Sequence, residues 1–307
     1  MTNDKDITTD TKPEAVKPSA GFKAVDALLI LMMILPTAAG IALKVLFTPQ
    51  SQGIEIKGAL IYFTLNTPVQ PLPIGESQVN SWLVMLTVTA LALFLTHGIR
   101  AGVPTKRQYA AEWIVEKCEG LIGENMGAYF KGFAPFIGAM LILSALSSLM
   151  SLTGLFPPTS DLNTVAGWAI LVFILITYYK MKCGPVVYLK SFGEPVKFLA
   201  PLNIISEFAT PVSMAFRHYG NILSGTVISV LVAAGLGGLS ESLFGSFGQT
   251  FPILRVGIPA VLSIYFDLFS GLLQAYIFAM LTMLYVSGAF PAEEFFRRHP
   301  EGIRNAE

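Results

Sequence analysis

The amino-acid sequence predicts an all-α polytopic membrane protein with about six membrane helices, the last two long and strongly tilted, plus one interfacial amphipathic helix. Three observations carry this. Apolar residues make up 53% of the 307 and charged residues only 13%, against a usual level of about 25%. The apolar residues are gathered into runs long enough to span a hydrocarbon core, and mean hydropathy is +0.62. The basic residues are segregated. Sixteen of the 20 Lys and Arg residues fall in the N-terminal tail, two basic loops and the C-terminal tail, counting Lys180 at the end of the fourth span with the second loop. With six spans those regions share one side, which the positive-inside rule makes cytoplasmic, so both termini are expected there.

Composition also excludes. Net charge is zero, so nothing points to nucleic acid. Cys118 and Cys183 form no metal-ligand spacing, and both fall on the expected cytoplasmic side, where thiols stay reduced. His97 ends a span and His299 lies in the C-terminal tail. There is no phosphate-binding loop and no Ser/His/Asp arrangement. No catalytic residue, cofactor or metal is expected.

Residues 1–24 are polar and read as a disordered cytoplasmic tail. Residues 25–47 hold the first apolar run, Ala27 to Phe47, broken by Pro36. It is either a membrane helix or the hydrophobic part of a signal peptide with a small-residue site near Ala38-Ala39. The long tail before it, with Asp and Glu among its lysines, favours a retained helix. Residues 48–80 are an extracellular loop. Ile54-Glu55-Ile56 and Leu60 to Thr64 predict two short strands around Lys57-Gly58, and Pro68 to Pro73 an extended connection.

The second span is Trp82 to Gly98. From Gln108 to Ile122, apolar positions recur at helical spacing within a charged stretch, which predicts a helix lying on the membrane surface. The third and fourth spans are Phe133 to Leu149 and Val165 to Met181. After the second basic loop, the fifth helix runs from about Leu202 to Ala234, ended by Gly235, Gly237 and Gly238. The sixth runs from about Ile253 to Gly288, and 290–307 form a tail. The last two helices exceed the roughly 20 residues that cross a bilayer upright, so they must tilt.

The fifth helix carries Arg217 near its middle, at an insertion cost of roughly 3 kcal/mol or more. At 100° per residue, Ser206, Thr210, Ser213, Arg217, Asn221 and Ser224 share one line, a polar seam. Ser263, Asp267, Ser270 and Gln274 form a second seam on the sixth helix. Two such seams make a hydrated path or proton relay; the competing reading is helix packing, with Arg217 in an ion pair with Glu207 or Asp267. Glu207 lies roughly 15 Å to the cytoplasmic side of Arg217, and Asp267 lies outward of Gln274. The acids thus fall on opposite sides of the arginine, the layout of two half-paths separated by a fixed cation. His218 sits about 100° off the seam.

Pro211-Val212-Ser213-Met214-Ala215-Phe216-Arg217-His218-Tyr219-Gly220-Asn221 resembles the signature of subunit a of F-type ATP synthases. Gln274-Ala275-Tyr276-Ile277-Phe278-Ala279-Met280-Leu281-Thr282 is similar to that family's second signature. Pro158-Thr159-Ser160-Asp161-Leu162-Asn163-Thr164 resembles a third segment. The resemblance makes 81–289 the subunit a membrane domain and 25–47 an extra helix. It implies a stator in the bacterial inner (plasma) membrane, against a rotating ring of c subunits, with peripheral-stalk b subunits as further partners and protons or sodium ions as cargo. Arg217 would repel the ion from an arriving ring carboxylate and block leakage. Asn221 and Gln274 would support it, Asp267 would line the outer half-channel and Glu207 the inner one. His218-Tyr219 departs from the commoner Leu-Phe, and Thr226 stands where many members carry Glu or His. Thr226, His218 and the seam hydroxyls are then candidates for lining. Two other classes fit the composition: a secondary transporter with Arg217 as an anion site, and a membrane scaffold whose seams tolerate substitution. No internal repeat supports the transporter.

Overall fold

The computed structural model describes residues 20–47, 58–68, 70–99, 105–193, 196–245 and 254–298. Residues 1–19 of the expected tail, the expected strand at Ile54-Glu55-Ile56 and the chain beyond Arg298 lie outside the described residues. Among the described residues, six helices are long and apolar enough to cross a membrane.

The first of these, α1 (Ala20–Phe47), begins inside the expected tail and runs through Pro36. Strands β1 (Ile61–Asn66) and β2 (Pro71–Gly75) then pair antiparallel. Strand β1 is the second of the two strands expected around Lys57-Gly58, shifted by one residue at its start. The strand partner is the proline-rich piece read as an extended connection, and a two-stranded sheet tolerates prolines because each strand has a free edge. Helix α2 (Glu76–Thr96) starts ahead of the expected Trp82, directly from Gly75.

Helix α3 (Lys106–Met126) is the charged surface helix, its first turn capped by the Thr105 side chain, which accepts from the Gln108 amide. Helices α4 (Ala134–Leu149) and α5 (Leu162–Lys180) form the third and fourth spans. Between them lie the 3-10 turns Met150–Thr153 and Pro158–Ser160. Asp161 caps α5 by accepting from the Asn163 amide at 3.0 Å, as N-cap aspartates do. A short α6 (Pro185–Ser191) precedes α7.

Helix α7 (Ala200–Phe244) is 45 residues long. It passes through Gly235, Gly237 and Gly238, where the sequence predicted an end, and stops at Gly245 with φ +57°. Glycine weakens a helix interior by about 1 kcal/mol, which a helix of this length tolerates. The last span is built in three parts: α8 (Leu254–Ser263), a π-helical segment Ile264–Ser270, and α9 (Gly271–Ala289). Helix α10 (Ala292–Arg298) follows where only a tail was expected. Its Phe295 meets Tyr129 and Phe290 ring to ring, burying an apolar face that the acidic and basic residues around it obscure in the sequence.

Helix α9 packs on α4 and α5, α5 packs on α7, and α7 packs along α8 and the π segment. The core lies among α3, α4, α5 and α9, around Ile122, Ile137, Val172, Phe278 and Met283. Helix α7 therefore shows one face to the core and leaves the other outward.

Candidate functional site

The two faces of α7 separate at Arg217. Met214, Ala215, His218 and Ile222 are buried, while Ser213, Phe216, Arg217 and Ser224 are exposed. Among the described residues, Arg217 has no hydrogen bond and no ion pair. The packing reading required Glu207 or Asp267 as its partner, and both carboxylates are engaged elsewhere.

The Glu207 side chain is only 5% exposed and receives the Lys180 ammonium at 2.6 Å. The Tyr188 hydroxyl donates to its other oxygen at 3.2 Å. Burial pushes the Tyr188 phenol up, and the Glu207 charge adds to that, so the phenol remains a donor. These groups line a cavity of about 500 Å³ together with Ser206, Thr210 and Asn203. A second cavity of about 320 Å³ shares Lys180, Glu207 and Thr210 and is also lined by Leu284 and Tyr285. The Thr210 hydroxyl donates back to the Ser206 carbonyl at 3.0 Å.

Beyond Arg217 the seams of α7 and the last span meet directly. The Asn221 amide donates to Ser270 Oγ at 2.8 Å, and that hydroxyl donates to Asn221 Oδ1 at 3.0 Å. One turn on, Gly225 lets the helices approach: a Cβ there would lie 2.9 Å from Phe266 Cβ. Asp267 sits in the π segment, half-buried, and accepts a short bond from Ser263 Oγ. A π turn inserts a residue into the helix and re-aims the side chains around it, a device concentrated at functional positions. Gln274 is 5% exposed and Thr226 bonds back to Ile222 at 3.1 Å.

His218 lies on the packed face. Its Nε2 is 3.5 Å from Ser144 Oγ, its Nδ1 is buried with no partner, and the Trp168 and Phe278 rings stand edge-on against it. Structure thus brings Asn221 to Ser270 and Ser263 to Asp267, and leaves His218 apart from the seam. It adds Lys180 and Tyr188, which sequence reasoning passed over. The available signal was a lysine in the last turn of an apolar helix, there counted only as a topology marker.

The family model described as ATP synthase A chain matches residues 78–287. Among relatives, a subunit a from Desulforamulus reducens is 33% identical over 71% of this chain and 80% of its own length. One from Moorella thermoacetica is 28% identical over 71% and 91%. A Propionigenium modestum protein named "ATP synthase subunit a, sodium ion specific" is 29% identical over 74% and 78%. With six membrane-length helices and a match over most of its length, this chain belongs to the ATP synthase A chain family, as a multi-pass subunit of the enzyme's membrane sector.

Proposed function

We propose that this chain is the ion-translocating stator of its ATP synthase, non-catalytic itself. It would form two offset half-channels against a ring of c subunits, held by peripheral-stalk b subunits in the plasma membrane with both termini cytoplasmic. The observation that carries this is Arg217: an outward-facing cation on a membrane helix, unpartnered within the described chain, while both candidate acids are engaged. Its partner is then a carboxylate on another chain. At 4 Å and an effective dielectric near 20, the two attract by about 4 kcal/mol. That corresponds to roughly a thousandfold in proton affinity. A ring carboxylate arriving at Arg217 would lose its proton, and an always-charged guanidinium would bar ions from crossing directly.

The inner half-channel would run through the cavity at Glu207 and the outer one past Asp267, with Asn221 and Gln274 setting the level of the barrier. The seam hydroxyls Ser206, Thr210, Ser213, Ser224, Ser263 and Ser270 would line the paths. Protons are the first reading of the cargo. Sodium is the second reading, favoured by the name of the Propionigenium relative. Arg217→Ala in membrane vesicles tests the proposal: ATP-driven pumping should vanish and a passive leak appear. Unchanged pumping would sink it, and pumping that requires sodium would replace the proton.

A further inference from the structure

Lys44 and Glu76 take no part in the seams. Lys44 stands in the last turn of α1 and Glu76 opens α2. Their Nζ and Oε1 are 3.2 Å apart, with the Glu76 side chain 2% exposed. The same ammonium donates to the Gly154 carbonyl at 2.7 Å, and Glu76 accepts from the Phe156 amide at 3.1 Å. Asn80, one turn along α2, donates to the Phe156 carbonyl at 2.8 Å, and Ser77 donates to Asp161. The loop 154–161 is thus laced to α2, and α1 supplies the balancing charge.

That loop region backs the seams. The turn Met150–Thr153 packs on the π segment that carries Asp267, and Pro158–Ser160 packs on α7. At Gly271, where α9 begins, a Cβ would lie 3.0 Å from Ser148 Cβ.

The other end of α1 is fastened too. Asp26 accepts from Arg107 at 2.9 Å and meets His97 Nδ1 at 3.1 Å, while the Phe22 ring stacks on His97 at 4.4 Å. Midway, a Cβ at Gly40 would lie 3.0 Å from Leu83 and 3.2 Å from Leu155. A leader destined for removal needs none of these contacts. Taking the half-buried lysine away from the buried Glu76 carboxylate leaves an uncompensated charge, which costs far more than the pair is worth. The family match begins only at residue 78, after both partners.

We propose that α1 is a resident span of the mature subunit and that Lys44 is a positioning residue. As counter-ion to Glu76, it holds the 154–161 loop against the helices bearing Arg217 and Asp267. The pumping consequence rests on the stator reading; the structural consequence does not. The groups facing Glu76 are Lys44 from α1, Tyr62 from β1 and, through Ser77, Asp161 at the head of α5. Burial, with the Glu76 charge adding, pushes the Tyr62 phenol up to about 12, so it stays neutral over the assay range. Without Lys44 the buried carboxylate charge is unbalanced.

The test uses the assembled complex, with Lys44→Met, Lys44→Arg and Lys44→Met/Glu76→Gln beside the parent chain. The intact mass should include the residues of α1. Relative to the parent, Lys44→Met should lose pumping roughly tenfold. Lys44→Arg should keep most of it, and the double variant should recover. Thermal dissociation in detergent should rank the variants identically with no pumping measured, so it stands even if the stator reading falls. A chain beginning near residue 40, a Lys44→Met complex equal to the parent in both assays, or a defect the double variant does not relieve would overturn the proposal. If Lys44→Met fails to assemble, recovery of assembly in the double variant supports it, and continued failure overturns it.

Discussion

Arg217 and His218 are neighbours in the chain, 100° apart on one helix, and they have opposite surroundings. Arg217 is exposed and unpartnered among the described residues, whereas His218 is enclosed by Ser144, Trp168 and Phe278. The difference separates a packed face of α7 from an open one. Its packed face fixes the rotation of the helix about its axis. Its outer face carries a charge that packing does not use, and so leaves it available to another molecule.

Substitutions can break that contrast. The largest expected effect is at Arg217, where alanine should reduce ATP-driven pumping by two orders of magnitude or more, roughly the scale of removing a 4 kcal/mol interaction. Folding should be almost untouched, because no partner among the described residues is lost. At His218 the pattern should invert. Alanine there should cost about 2–4 kcal/mol of stability by leaving a cavity in the α4–α5–α9 packing, with pumping per assembled complex within a few-fold. Leucine should be nearly neutral, since it keeps the volume and removes the orphaned Nδ1. If His218→Leu abolishes pumping while the complex stays intact, the packed face is not merely structural.

The two acids sharpen the comparison along the seam. Asp267 is held by one serine of its own helix, so Asp267→Asn should cut pumping roughly tenfold or more, on the scale of losing one positioned proton acceptor. Glu207 shares its charge with Lys180. Lys180→Met should therefore impair pumping by roughly tenfold, since it strands a buried carboxylate, while Lys180→Met/Glu207→Gln should be milder than the single change. Thr210→Ala should have the smallest effect, because its hydroxyl is spent on the Ser206 carbonyl.

Much of this was legible in the sequence, and for physical reasons. A membrane-length apolar run is obvious, and an arginine inside one is expensive enough to demand a function. The seam on α7 follows from helical periodicity alone. What the sequence concealed depends on which helices become neighbours. Lys180 and Glu207 meet only because α5 packs on α7, and Lys44 finds Glu76 only because α1 lies along α2. Local rules misled where context overrode them. Three glycines near 235–238 look like a stop, yet α7 continues to Phe244. Pro71 and Pro73 look like strand breakers, yet they lie within β2. The π segment around Asp267 has no sequence signal.

Cysteine cross-linking tests the central claim most directly, that the outer face of α7 meets a carboxylate-bearing helix of another chain. Single cysteines would be placed at Ser206, Ser213 and Ser224 on the outer face and at Met214 and Ile222 on the packed face, then paired with cysteines along the ring subunit. The account requires cross-links from the outer positions, clustered around the ring carboxylate at the level of Arg217, and none from the packed positions. Cross-links from Met214 or Ile222, or none from any outer position in a complex that pumps, would contradict it.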